Sequence, residues 1–246
     1  MSLFLENKIA LVTGGSRGLG AAIVKCLAGH GARGSTVDRE AGEPGDFLAI
    51  EGDVTDEGAI KTAIDRTVAH FGRLDIVVAN AGVVPPWSET VDIDLAQWNE
   101  VMAINARGVL ATIKHAIAPL SAHGGAVVVM GSINSLLAHP RQLIYTASKH
   151  AVLGILRAAA LDLGRHGIRV NGIAPGPIAT DALLERINTR ARTGTPAAEA
   201  LAGLAAQTAL GRLATADEVA STVAFLASPA ASGITGQLLR VDAGMA

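Results

Sequence analysis

A single cysteine, Cys26, stands in the whole chain, so no internal disulfide can form and nothing points to an oxidising compartment. It lies inside AAIVKCLAGHG, where a small buried hydrophobe is the expected use of a thiol. Charge is also sparse, at 17% of residues, and the net value of −2 comes without a basic block. Nucleic acid, an anionic membrane and strongly acidic partners therefore gain no support. No apolar run approaches the roughly 18 residues of a membrane-spanning helix. The opening MSLFLENKIALVTGG lacks the basic start and apolar core of a secretory leader. These absences predict a soluble, cytoplasmic protein, and no metal site is predicted. Aromatic residues make up only 3% of the chain, and there is one tyrosine. Its purpose is the question the remaining residues must answer.

Half the residues are hydrophobic, most of them Ala, Val, Leu and Ile, which suits helices packed on a buried parallel sheet. Short apolar runs recur as KIALVT (8–13), LDIVVAN (74–80), GAVVVMG (125–131), IRVNGIAPG (168–176) and QLLRVD (237–242), all reading as buried strands. Helical patterns lie between them. TDEGAIKTAIDRTVAHFG carries acids in its first turn and stops at Gly72. LAQWNEVMAINARGVLATIKHAIAPL reads as one long helix, and TADEVASTVAFLAS opens with Thr215 and Glu218 at capping-box spacing. Strand–helix alternation over 246 residues, without a linker or internal repeat, predicts one domain spanning 1–246. Its class is α/β, a doubly wound Rossmann fold with a single parallel sheet of about seven strands and helices on both faces. One crossover departs from the pattern: DREAGEPGDF, after Val37, is too short and too rich in Gly and Pro for a helix, so a loop is expected.

Ligands of such sheets bind beyond the carboxyl ends of the strands, and the informative residues fall there. TGGSRGLGAAIVKCLAGHG places Gly14, Gly18 and Gly20 between the first strand and its helix. Glycines there let the chain turn sharply and let the helix-terminal amides approach a pyrophosphate. Asp38 follows the second strand, 18 residues beyond Gly20, where a carboxylate would accept hydrogen bonds from an adenosine ribose. It would repel a 2′-phosphate and so favours NAD over NADP. Arg17 and Arg39 pull the other way, since either could pair with that phosphate. Asp53 and Val54, after the third strand, are placed to flank an adenine. Asn80, Ala81 and Gly82 end the fourth strand with small residues that tolerate a close cofactor.

The one tyrosine, Tyr145, precedes Lys149 by four residues, so both share a helix face, and Ser132 lies thirteen residues earlier at the end of the fifth strand. With Gly14-x3-Gly18-x-Gly20, Asn80-Ala81-Gly82 and Pro175-Gly176 in order, the chain closely resembles the short-chain dehydrogenase/reductase family from about residue 7 onward. The resemblance implies that Tyr145 is the acid/base for a substrate hydroxyl or carbonyl. A free phenol, with pKa near 10, is only about one-thousandth ionised at pH 7. Lys149 and a positive nicotinamide would lower that pKa, and Lys149 would also bond the nicotinamide ribose. Ser132, rather than Ser135, would hold the substrate oxygen, and Asn105 would anchor a proton-relaying water. Ser16, Arg17 and Leu19 would line the cofactor with the turn glycines; Pro175, Gly176, Ile178 and Thr180 would meet the nicotinamide end. Two departures stand out: Gly34 and Ser35 occupy a usually more apolar second strand, and Ala243 replaces a common glycine.

The reading is an NAD-dependent oxidoreductase of a secondary alcohol or ketone, assembled as a homotetramer, with a small-molecule substrate. The alternatives are a 3-oxoacyl-thioester reductase using NADPH and a nicotinamide-sensing binding protein. Substrate choice is expected to lie in INSLLAHPRQLI after Ser132 and in residues 181–210, with Trp87 as a wall. Leu136, Leu137, Leu183 and Leu184 make that region partly apolar, and His139, Arg141 and Gln142 could add a polar contact.

Overall fold

The computed structural model describes residues 4–40, 42, 45, 47–180, 183–185, 187 and 196–245. Seven parallel strands form one sheet: β1 (Ile9–Thr13), β2 (Arg33–Asp38), β3 (Phe47–Glu51), β4 (Ile76–Ala79), β5 (Gly125–Met130), β6 (Ile168–Pro175) and β7 (Leu238–Val241). Their order across the sheet is β3-β2-β1-β4-β5-β6-β7, so the chain reverses its direction of travel between β1 and β4. That reversal opens a crevice at the carboxyl ends of those two strands.

Successive strand side chains point to opposite faces, and both faces are apolar because both are covered. Ala10 and Val12 of β1 join Val78, Val128 and Ile173 under helices α1 (Gly18–Gly29) and Ala216–Ala227. Leu11, Val77, Val127 and Val170 face the other way, under α2 (Glu57–Phe71), Gly108–Ser121 and Leu143–Leu163. The strand β7 departs from its reading as a buried strand. It closes the sheet, its residues are only half buried and Arg240 is exposed, because among the described residues no further strand covers that edge.

Local signals operate as their chemistry dictates. Asp56 accepts from the Gly58 and Ala59 amides at the start of α2, and Gly72 ends that helix in the left-handed region at φ 82°. Thr215 and Glu218 form the reciprocal capping box of the helix at 216–227. Gly34 in β2 is explained by close approach: a Cβ there would stand 1.8 Å from the Ala10 carbonyl oxygen. Ala243 does adopt the backbone a glycine would favour, at φ 57°. Between β2 and β3, Arg39, Glu40, Gly42 and Gly45 are not helical; 41, 43, 44 and 46 lie outside the described residues.

The largest departure from the sequence pattern lies in the long helix predicted over 95–120. The structure divides it into α3 (Leu95–Met102), a π turn (Ala103–Arg107) and α4 (Gly108–Ser121), with the Gly108 amide donating to the Ala103 carbonyl five residues back. Gly108 packs so tightly on Val54 that a Cβ would lie 3.1 Å from that side chain. A π turn adds one residue to the helix and re-aims the side chains around it. Here it turns Asn105 fully inward. The other α-helices whose bounds fall among the described residues are α5 (Leu143–Leu163), α6 (Ala197–Ala206) and α7 (Ala216–Ala227). Among the described residues no helix is long and apolar enough to cross a membrane.

Candidate active site

The crevice between β1 and β4 is built around the glycine turn. Gly14 (φ 65°) and Gly18 (φ 54°) take left-handed backbone, and a Cβ on Gly20 would stand 1.9 Å from the Gly14 carbonyl oxygen. Only glycine allows this packing. Asn80 ties the turn to β4: its Nδ2 donates to the carbonyls of Thr13 (3.0 Å) and Gly14 (2.8 Å). Thr13 answers through Oγ1, which accepts from the amides of Asn80 and Ala81. Asn80 is thus a clamp on the turn as well as a strand-end residue, and Thr13 is a partner that sequence reading did not single out.

Helix α1 begins at this turn without a side-chain cap from Arg17 and without an acid in its first turn. Its terminal amides therefore face the crevice unneutralised, the condition for holding an anion. Arg17 and Ser16 are exposed, while Leu19 packs partly into the core. At the end of β2, Asp38 Oδ2 accepts from Ser16 Oγ (2.5 Å) and Oδ1 from the Arg39 amide (2.9 Å). The carboxylate is thus steered back toward the glycine turn. Asp53 accepts from the Thr55 amide and hydroxyl, both at 2.8 Å, and the amide contact leads in lowering its pKa. Val54 is buried against Gly108. These residues form a cradle that fits a dinucleotide: glycines for close approach, bare helix amides for phosphate and a ribose-side carboxylate.

The second half of the site sits at the end of β5. Ser132 begins a short 3-10 turn, its Oγ accepting from the Asn134 amide at 3.2 Å. Ser135, its competitor by sequence, is fully buried and spends its hydroxyl on the Ser132 amide at 3.2 Å. Asn134 bonds Thr146 Oγ1 (3.0 Å) and Gln142 Oε1 (3.2 Å), which fixes the serine turn against the first turn of α5. Tyr145 and Lys149 lie on that helix, with Nζ 5.7 Å from the phenol ring centre. Lys149 is 4% exposed and donates to the Met130 carbonyl at 2.8 Å. Burial pushes its pKa down to about 8, the direction desolvation imposes on an ammonium.

The Asn105 side chain is held by protein groups on two elements. Its Oδ1 accepts from the Val83 amide (2.8 Å), while Nδ2 donates to the Val83 carbonyl (2.9 Å) and Ser148 Oγ (3.0 Å). Ser148 in turn donates to the Tyr145 carbonyl at 2.8 Å. The side-chain amide thus joins the loop after β4 to the tyrosine helix, with both its donors used on protein. Gly82 lies beside it: a Cβ there would be 3.3 Å from Asn105 Oδ1 and 3.6 Å from Lys149 Nζ.

At the far side, Gly176 packs on Asp242, where a Cβ would come within 2.7 Å, directly after Pro175 ends β6. Ile178 is buried, and the Thr180 carbonyl accepts from the amides of Leu183 and Leu184. Of the variable segment 181–210, residues 181, 182, 186 and 188–195 lie outside the described residues. Asn134, Ser148 and Thr13 are the structural partners missed by sequence reading. Among the described residues no cluster of three or more His, Cys, Asp or Glu is arranged to hold a metal.

The family model described as enoyl-(acyl carrier protein) reductase matches residues 14–246. The chain is 38% identical to cis-4-hydroxycyclohexanecarboxylate dehydrogenase of Sinomonas cyclohexanicum, covering 97% of this chain and 96% of that protein. It is likewise 38% identical to short-chain dehydrogenase reductase 4 of Arabidopsis thaliana, covering 98% and 83%. The crystal structure of carveol dehydrogenase from Mycobacterium avium in complex with NAD superposes with a TM-score of 0.91 at 30% identity, covering 98% of both chains. With this sheet order, this glycine cradle and these full-length likenesses, the chain belongs to the short-chain dehydrogenase/reductase family, as an oxidoreductase of CH–OH groups working with an NAD(P)-type cofactor.

Proposed function

We propose that the protein oxidises secondary alcohols on ring compounds, or reduces the matching ketones, with NAD. The observation that carries this reading is the buried Lys149, set beside Tyr145 without a carboxylate partner among the described residues. An ammonium so placed favours the phenolate of its neighbour. Lowering a phenol pKa by three units needs about 4 kcal/mol of differential stabilisation. When bound, nicotinamide supplies the acceptor for the hydride that leaves the carbinol carbon. Tyr145 takes the hydroxyl proton as the carbonyl forms, and Ser132 steadies the oxygen with a hydrogen bond. Asn105 and Ser148 hold the tyrosine turn in place through its backbone. In the reverse direction Tyr145 donates the proton. The ring-alcohol class is supported by the hydroxycyclohexane and carveol substrates in the names of two similar proteins.

A second reading, reduction of the ketone of a 3-oxoacyl thioester with NADPH, draws support from the carrier-protein thioester named in the description of the matching family. Asp38 speaks against it, because a carboxylate at the ribose end repels a 2′-phosphate. The two readings separate in one experiment: a panel of cyclic alcohols and acyl thioesters assayed with each cofactor by nicotinamide absorbance. NAD should exceed NADP by at least about tenfold in kcat/KM, equivalent to about 1.4 kcal/mol. Asp38→Ser should narrow that gap. Faster thioester turnover with NADPH than alcohol turnover with NAD would reverse the order of the readings.

A further inference from the structure

We infer that Arg141 selects substrates bearing a carboxylate remote from the reacting hydroxyl, a refinement that rests on the ring-alcohol reading above. A cavity runs along the tyrosine helix, lined by Val84, Pro85, Ile93, Leu143, Arg141 and Tyr145 among others. Tyr145 and Arg141 share this lining with chiefly apolar neighbours. Among the described residues, Arg141 is the one cation in this lining.

The arginine is held there by two loops. Its carbonyl accepts from the Ser88 amide at 3.1 Å, joining the segment after β4 to the segment after β5. Its backbone sits at φ 62°, a left-handed conformation that a long side chain adopts only when its surroundings impose it. Strain of this kind gathers at ligand clamps. The guanidinium carbon lies 5.3 Å from the centre of the Trp87 ring. Nε approaches Glu89 at 3.8 Å, with both side chains more than half exposed, so the pair is weak. The terminal nitrogens make no hydrogen bond to any described residue. A planar fork with unused donors, backed by an aromatic ring, matches the two oxygens of a carboxylate. A phosphate would call for further positive groups, and among the described residues the lining supplies none beyond Arg141. Glu89 competes only weakly for the guanidinium, so an incoming carboxylate displaces it, whereas a neutral alcohol makes no such exchange.

The test uses the NAD-loaded protein and two unreactive probes, cyclohexanecarboxylate and cyclohexanecarboxamide, with binding followed by calorimetry. The acid should bind at least about tenfold more tightly than the amide, the scale of one charge-assisted forked contact. Arg141→Gln should erase that preference, Arg141→Lys should keep part of it, and Glu89→Gln should enlarge it. In turnover, the ratio of kcat/KM for cis-4-hydroxycyclohexanecarboxylate over cyclohexanol should fall about tenfold in Arg141→Gln. Equal binding of acid and amide by the unmutated protein overturns the inference, as does a preference that survives Arg141→Gln. Arg141-dependent acid binding without oxidation of any ring alcohol would leave the selection standing and defeat the hydride-transfer reading instead.

Discussion

Tyr145 can be followed directly because no other tyrosine contributes to near-ultraviolet titration. Tyr145→Phe should remove the phenolate transition and lower turnover by at least about a hundredfold, the usual scale of a lost general acid/base. NAD binding, measured by calorimetry, should persist; normal turnover in that variant would end the acid/base assignment. Lys149 allows a thermodynamic test. Its folded pKa of about 8 lies below the ordinary lysine value of 10.5, so the unfolded chain binds more protons between those values. Stability should therefore rise with pH across that window, and the full penalty, on the order of 3 kcal/mol, applies below pH 8. Lys149→Met should raise the cofactor-free Tm at pH 7 while abolishing turnover, and the gap should close toward pH 10.5. A lower Tm for the variant at pH 7 would mean that other interactions offset the buried charge.

At the scale of elements, the site depends on joints rather than on any one helix. The π turn aims Asn105 into the core, where it bridges Val83 and Ser148 and, through Ser148, the Tyr145 carbonyl. Asn105→Ala would leave buried donors and acceptors unpaired, each costing about 1–3 kcal/mol. Urea unfolding should register that loss, and kcat should fall even at saturating substrate because the tyrosine turn is no longer held. Unchanged kcat would reduce Asn105 to a packing residue. The glycine turn is a similar joint: Asn80 and Thr13 lock it to β4 before any cofactor arrives. Such preorganisation spares the protein the entropy of ordering the turn on binding.

At the scale of the whole molecule, Leu110 on α4 and Leu161 on α5 are exposed at 51% and 86%, and the outer edge of β7 pairs with no strand among the described residues. Exposed apolar side chains on two helices and an open strand edge are surfaces that symmetric assembly would cover. Light scattering at micromolar concentration should give about four chain masses, and the double change Leu110→Lys with Leu161→Glu should lower it. A monomeric mass for the unmutated protein would rule the assembly out.

Much of the architecture could be read from the chain because its signals are local or periodic. Apolar runs with both faces covered, the capping pair Thr215 and Glu218, the stop at Gly72 and the order of Gly14, Ser132, Tyr145 and Lys149 need only neighbouring residues to be recognised. Gly34 looked out of place in a strand until the Ala10 carbonyl accounted for it. The π turn likewise escaped notice, since residues 95–120 carry a helical pattern whichever register the backbone takes. Thr13 with Asn80, Asn105 with Ser148 and Asn134 with Thr146 are polar pairs separated by 67, 43 and 12 positions. Trp87 under Arg141 is a contact between two loops. A hydrogen bond across such a separation leaves no period in the sequence; it exists only once the sheet has brought the two strand ends together.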